Sequence, residues 1–100
     1  MKKIALLCAA GMSTGMLVNK MREEAKKQGY ECEINAYSVS RAAEVGQTAD
    51  CLLIGPQVKY ELAKVRSVVP DKPVEVIDMV AYGRLDGAKV LATAKKLIGE

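Results

Sequence analysis

The stretch Ile4-Ala5-Leu6-Leu7-Cys8-Ala9-Ala10-Gly11-Met12-Ser13-Thr14-Gly15 decides how this chain folds. Its first four residues are all apolar, the pattern of a strand buried on both faces at the centre of a parallel sheet. A cysteine closes the run, and a short loop of small and hydroxyl residues follows. The segment after it is amphipathic as far as Gln28. Leu17, Val18, Met21 and Ala25 share one helical face, while Lys20, Glu23, Glu24 and Lys27 lie mostly on the other. A buried strand that feeds a helix through such a loop leaves the first helical N–H groups without partners. Those donors and the helix dipole together favour an anion. Cys8 is expected at the mouth of that site, with Ser13 as helix N-cap.

Working outward, the first strand is expected over Lys3–Cys8, and its helix ends at Gly29. A second strand, Tyr30–Tyr37, alternates Tyr30, Cys32, Ile34 and Ala36 with mostly polar residues, which suits an edge strand. A short helix, Arg41–Val45, precedes a third, continuously apolar strand at Asp50–Ile54. Gly55-Pro56 then opens a helix with Val58, Leu62, Val65 and Val69 inside. Strand four is Val74–Ile77, followed by a short piece at Met79–Gly83. The last helix starts on the cap Asp86 and buries Val90, Leu91, Ala94, Leu97 and Ile98. Alternating strands and helices of this length make right-handed crossovers. The expected fold is α/β: a three-layer open sheet of four parallel strands, order 2-1-3-4, helices on both faces, flavodoxin-like, in one domain over residues 1–100. Ligands of such sheets sit outside the carboxyl ends of the strands, where Cys8 falls.

Composition removes several function classes. The net charge of +3 is small and scattered, unlike the dense basic face of a nucleic-acid binder. There is no histidine, so histidine catalysis and histidine metal sites are excluded. Without Trp or Phe, stacking on nucleobases or flavins would rest on four tyrosines. Cys8, Cys32 and Cys51 are far apart and form no C-x-x-C pair, which points to a reduced, cytoplasmic protein without metal. Only four apolar residues separate Lys3 from Cys8, against roughly 7–15 in an export signal. No run approaches the ~20 apolar residues of a membrane helix.

The loop is not a nucleotide P-loop, because no Gly-Lys-Ser/Thr follows Gly11, and no G-x-G-x-x-G is present. The cysteine is the reactive candidate. Helix N-termini favour the thiolate, which attacks phosphorus in line, and the same N–H groups then hold the phosphoryl oxygens. Hydroxyls of Ser13 and Thr14 would add bonds, and Gly11 lets the backbone curl round the anion. Cysteine phosphatases clamp phosphate with an arginine six positions after the cysteine. Here that position is Thr14, and Ile4 to Asn19 holds no arginine or lysine. A carrier is favoured over a hydrolase; the alternatives are a cysteine-dependent phosphatase or arsenate reductase, which Thr14 argues against, and a non-catalytic anion- or flavin-binding module, which the poor aromatic content argues against. The plain alternative for Cys8 is a small buried hydrophobe, the reading that also suits Cys32 and Cys51. Gln57 and Tyr82 fall at strand exits, where packing or surface roles are equally open.

These residues resemble a known family. Cys8-Ala-Ala-Gly11-Met12-Ser13-Thr14 resembles the active-site loop of the lactose/cellobiose-type enzyme IIB of the bacterial sugar phosphotransferase system. Ala49-Asp50-Cys-Leu-Leu-Ile-Gly55-Pro56-Gln57 and Lys72-Pro73-Val-Glu-Val-Ile-Asp78, with Tyr82-Gly83 and Asp86-Gly87, are similar to its later signatures, most of all in the cellobiose/diacetylchitobiose branch. The resemblance implies a cytoplasmic phosphotransferase with no cofactor. Cys8 would take phosphate from a phosphohistidine IIA protein. It would pass it to a sugar, a β-linked disaccharide such as cellobiose or diacetylchitobiose, bound by the membrane IIC permease. Ala9, Ala10, Gly11, Met12, Ser13 and Thr14 would form the phosphate cradle. Met12 and Met16 would suit two successive protein partners, and the interspersed charges suit a monomer without nucleic acid or direct membrane insertion.

Overall fold

The computed structural model describes residues 1–9 and 12–100, with the backbone alone for Met12 and Ser13. Four parallel strands form its sheet: β1 (Lys2–Cys8), β2 (Cys32–Ser38), β3 (Cys51–Ile54) and β4 (Val74–Val76). Their order is β2-β1-β3-β4, as expected. Between them run α1 (Met12–Gln28), α2 (Ala42–Val45) and α3 (Leu62–Val68), and after β4 come α4 (Met79–Gly83) and α5 (Gly87–Ile98).

The sheet divides two apolar layers, and the alternation along β1 shows how. Ile4 and Leu6 join Leu17, Val18 and Met21 of α1 and Val90, Leu91 and Ala94 of α5 on one face. Ala5 and Leu7 join Val45 of α2 and Val65 of α3 on the other. A strand with helices on both faces has no side that tolerates a polar residue, which is why β1 and β3 read as unbroken apolar runs. Helix α1 ends where Gly29 takes φ +67°. There Tyr30 N–H donates to the Ala25 carbonyl at 2.9 Å, the closing bond of a Schellman turn.

Four expectations shift. Helix α1 begins at Met12, so Ser13 lies inside the helix rather than capping it; the Ser13 side chain is outside the described residues. Along β2 only Ile34 is buried, while Tyr30 and Cys32 are half-buried and Ala36 is exposed. An edge strand has one neighbour, and α1 covers β2 at Ile34, through its apolar face and through Arg22, rather than at its carboxyl end. Pro56–Glu61 forms 3-10 turns before α3 begins. Val58 breaks the helical path at φ −120°, ψ 29°, where its side chain enters the core. Leu62, Leu97 and Ile98 pack at the core margins instead of inside.

Both sheet edges are closed by an arginine. The Arg22 guanidinium of α1 donates to the Ile34 carbonyl of β2 at 2.6 and 2.9 Å. The Arg66 guanidinium of α3 donates to the Val74 carbonyl of β4 at 3.0 and 3.3 Å. The carbonyls of alternate residues in an edge strand point away from the sheet and are templates for pairing with another chain. Each arginine satisfies one such acceptor. Arg22→Ala and Arg66→Ala should each lower unfolding free energy by about 1 kcal/mol, read from urea titration. The double variant should also self-associate more readily in sedimentation.

Candidate active site

Because the strands are parallel, all four carboxyl ends open on one side. Cys8 is the last residue of β1 there and pairs in register with Ser38. It is 6% exposed, so the sulfur is nearly covered rather than standing at an open mouth. Its thiol donates to the Tyr37 carbonyl of β2 at 3.6 Å. Ala9 follows as an exposed bend. Ala10 and Gly11, expected in the cradle, lie outside the described residues, as do the side chains of Met12 and Ser13; both fall in the first turn of α1.

The next strand to exit beside Cys8 is β3. Gly55 N–H donates to the Leu7 carbonyl at 2.8 Å, drawing the Gly55-Pro56-Gln57 turn against β1. A Cβ on Gly55 would meet Gln57 Oε1 at 3.3 Å, the Leu7 carbonyl oxygen at 3.5 Å and Cys8 Cβ at 3.9 Å. The missing side chain therefore leaves a shared space between the cysteine and the Gln57 carboxamide. This neighbour is legible in the sequence once strand order is known, because the exit of strand three must lie next to that of strand one.

Thr14 departs from its expected role. It is 1% exposed, and its hydroxyl pairs with the Tyr82 hydroxyl at 2.9 Å instead of facing an anion. The backbone N–H of Thr14 still belongs to the first turn of α1. The sequence assigns no role to Tyr82, on α4, or to Gln57, and no local pattern links Tyr82 to a threonine 68 positions earlier.

Two charged side chains that follow the strand exits are engaged, Asp78 and Arg41. Asp78 follows β4 and accepts from Ala81 N–H at 3.0 Å, capping α4. That bond first, with Lys89 assisting, holds its carboxyl below the usual carboxylate range. Asp78 is thus an ionised cap rather than a proton donor. Arg41, beyond β2, lies over the Tyr37 ring at 5.3 Å and pairs with Glu44. Around the site stand apolar side chains open to solvent: Met16 on α1 and Met79 and Val80 on α4. Among the described residues, no three His, Cys, Asp or Glu side chains gather as they would around a metal ion, and no helix is long and apolar enough to cross a membrane.

With this geometry in view, comparison with known proteins is direct. Residues 3–93 match the family model for the lactose/cellobiose-specific IIB subunit of the phosphotransferase system, PTS. The chain is 44% identical to the oligo-beta-mannoside-specific EIIB component of Bacillus subtilis, covering 98% of this chain and 97% of the relative. It is 43% identical to the galactose-specific EIIB component of Lactococcus lactis, covering 97% and 96%. Its fold is similar to the solution structure of a cellobiose-specific phosphotransferase IIB component from Borrelia burgdorferi. That match has a TM-score of 0.82 and 33% identity, with 97% of this chain and 91% of that one covered.

The other two cysteines stand apart from the site. Cys51 is wholly buried in β3, and burial pushes its thiol up to about 12, with Asp50 adding to the effect. Cys32 is half-buried at the core margin rather than inside it; burial raises its thiol while Lys95 opposes. Tyr30 is also pushed up to about 12, by burial and then by Glu100. A thiol or phenol held neutral by the fold ionises earlier in the unfolded chain. Stability is then full below the unfolded value and declines as pH rises above it. Thermal unfolding should therefore shift downward from pH ~9 upward, and Cys51→Val should make that slope shallower between pH ~9 and about 12, measured by circular dichroism.

Proposed function

Because this chain belongs to the lactose/cellobiose-specific IIB family of the sugar phosphotransferase system, we propose that Cys8 is the phosphoryl carrier of the phosphotransferase. The observation that supports this most is the placement of Cys8. It ends the central strand at the carboxyl edge of a parallel sheet, immediately ahead of the loop into α1. Oxyanions are favoured at such a junction by unpartnered N–H groups and the helix dipole.

The chemistry runs in two displacements. The Cys8 thiol leaves the Tyr37 carbonyl and gives its proton to solvent or to a base of the partner. Its sulfur attacks the phosphorus of a phosphohistidine on a IIA protein. The P–N bond breaks as the S–P bond forms, and the departing imidazole nitrogen keeps the electron pair and takes up a proton. In the second step a sugar hydroxyl held by the membrane IIC component attacks phosphorus. The S–P bond breaks, the thiolate returns, and the hydroxyl proton passes to solvent or a base of the partner. Backbone N–H groups from Ala9 to Thr14 hold the phosphoryl oxygens throughout. No guanidinium is available in this loop, and the position where a phosphatase carries arginine is a threonine turned into the core. Asp78, already ionised as a cap, does not serve as an acid for hydrolysis. Both features weigh toward transfer between macromolecules and against release to water. The cytoplasm is the compartment that such a relay needs.

A β-linked disaccharide is the acceptor this reading favours. Relatives of nearly equal similarity carry the names of an oligo-β-mannoside and of galactose. That spread fits a division of labour in which the membrane component selects the sugar and this component supplies phosphate.

Mixing the protein with a phosphohistidine IIA donor should add one phosphoryl group by mass spectrometry. Cys8→Ala should abolish the gain, while Cys32→Ser and Cys51→Ala keep it. Phosphorylation that survives Cys8→Ala would refute the assignment. The exposed Met79 is a test of docking: Met79→Asp should raise KM for the donor about tenfold, with unfolding free energy unchanged within about 0.5 kcal/mol.

A further inference from the structure

We infer that Tyr82 is a positioning residue for the phosphoryl site, acting through Thr14; this rests on the relay reading of Cys8. Among the described residues, Thr14 is the one fully buried polar side chain in an otherwise apolar core. Its partner is the Tyr82 hydroxyl, 2.9 Å away, on a side chain that is itself 8% exposed. A valine and a phenylalanine would fill the same volumes with no polar group to satisfy, and such paired replacements are often neutral for stability. Burial alone therefore does not call for this pair. What the pair adds is direction. Two hydroxyls within bonding distance fix how the first turn of α1 sits against α4.

The other end of that contact is rigid. Asp78 caps α4 and lies 3.7 Å from Lys89 Nζ of α5. Leu85 takes φ +53° to link α4 to α5, and its side chain packs against the core. Gly87, at the start of α5, lies so close to α1 that a Cβ there would stand 2.5 Å from the Lys20 carbonyl carbon. The α4–α5 unit thus grips α1 at Thr14 through hydroxyls and at Lys20 through backbone contact. Contacts at two points six residues apart oppose both sliding of the helix along its axis and rotation about it. Its first turn then keeps a fixed relation to the end of β1. Phosphatase loops keep their donors aimed with a charged clamp. In this chain, where the loop carries no cation, the aim comes from a mechanical grip, and Tyr82 supplies its contact at the first turn of α1.

Tyr82→Phe, Thr14→Val and the double variant are compared with wild type in single-turnover phosphorylation by a phosphohistidine IIA donor. Either single change should lower the maximal rate on the order of tenfold with KM for the donor unchanged. The double variant should be no slower than either single one. Amide hydrogen exchange at Met16, Leu17 and Val18, whose N–H groups bond the carbonyls of the first turn, should quicken in the single variants. Val90→Ala in α5 serves as the control for lost stability; its exchange rises across the core while its rate of transfer holds. Folded Tyr82→Phe and Thr14→Val proteins that match wild type in rate overturn this inference alone. A wild-type protein that takes up no phosphoryl group overturns the relay reading and this inference with it.

Discussion

Parallel pairing of β1 between β2 and β3 is the constraint from which the rest of the molecule follows. It commits every residue of β1 from Ile4 to Leu7 to one apolar layer or the other. It forces the connections to cross the sheet as helices, and it brings four strand exits to one edge. Cys8, the proposed phosphoryl carrier, is the first side chain beyond that committed run. Cys8 therefore has a rigid root and a loop directly ahead of it, an arrangement that neither a hairpin nor an antiparallel meander would supply.

Much of this was legible because parallel sheets leave a strong imprint on sequence. Two unbroken apolar runs marked the inner strands, one alternating run marked the edge, and strand order followed. The departures have physical causes. Ala36 looked like a core residue by alternation, but an edge strand is covered on one side and only over part of its length. The 3-10 turns after Pro56 escaped a periodicity argument because the inner stripe begins with Val58, whose burial comes from a break in the helix rather than from its face. The pairing of Thr14 with Tyr82 had no sequence trace at all. Both residue types are common, they lie 68 positions apart, and only the packing of α4 on α1 brings them together. For the same reason Thr14 read as a ligand for an anion, when its hydroxyl serves the core.

A site without a cation has a particular energetic character. A guanidinium clamp strengthens the hold on a phosphoryl dianion and makes each departure harder. Neutral backbone donors bind less tightly but are fixed in place, so they cost little reorganisation as charge moves from nitrogen to sulfur to oxygen. Such a site suits an intermediate that must be made and unmade at similar speed.

The arginines that close β2 and β4 have a consequence for how the molecule behaves in company. With one outward carbonyl taken on each edge strand, at Ile34 and at Val74, each flank has one template position fewer for another backbone. At the pole where the strands exit, Met16, Met79 and Val80 lie uncovered. Contacts made end-on therefore bury apolar surface, whereas contacts at Ile34 and Val74 meet carbonyls that already have partners.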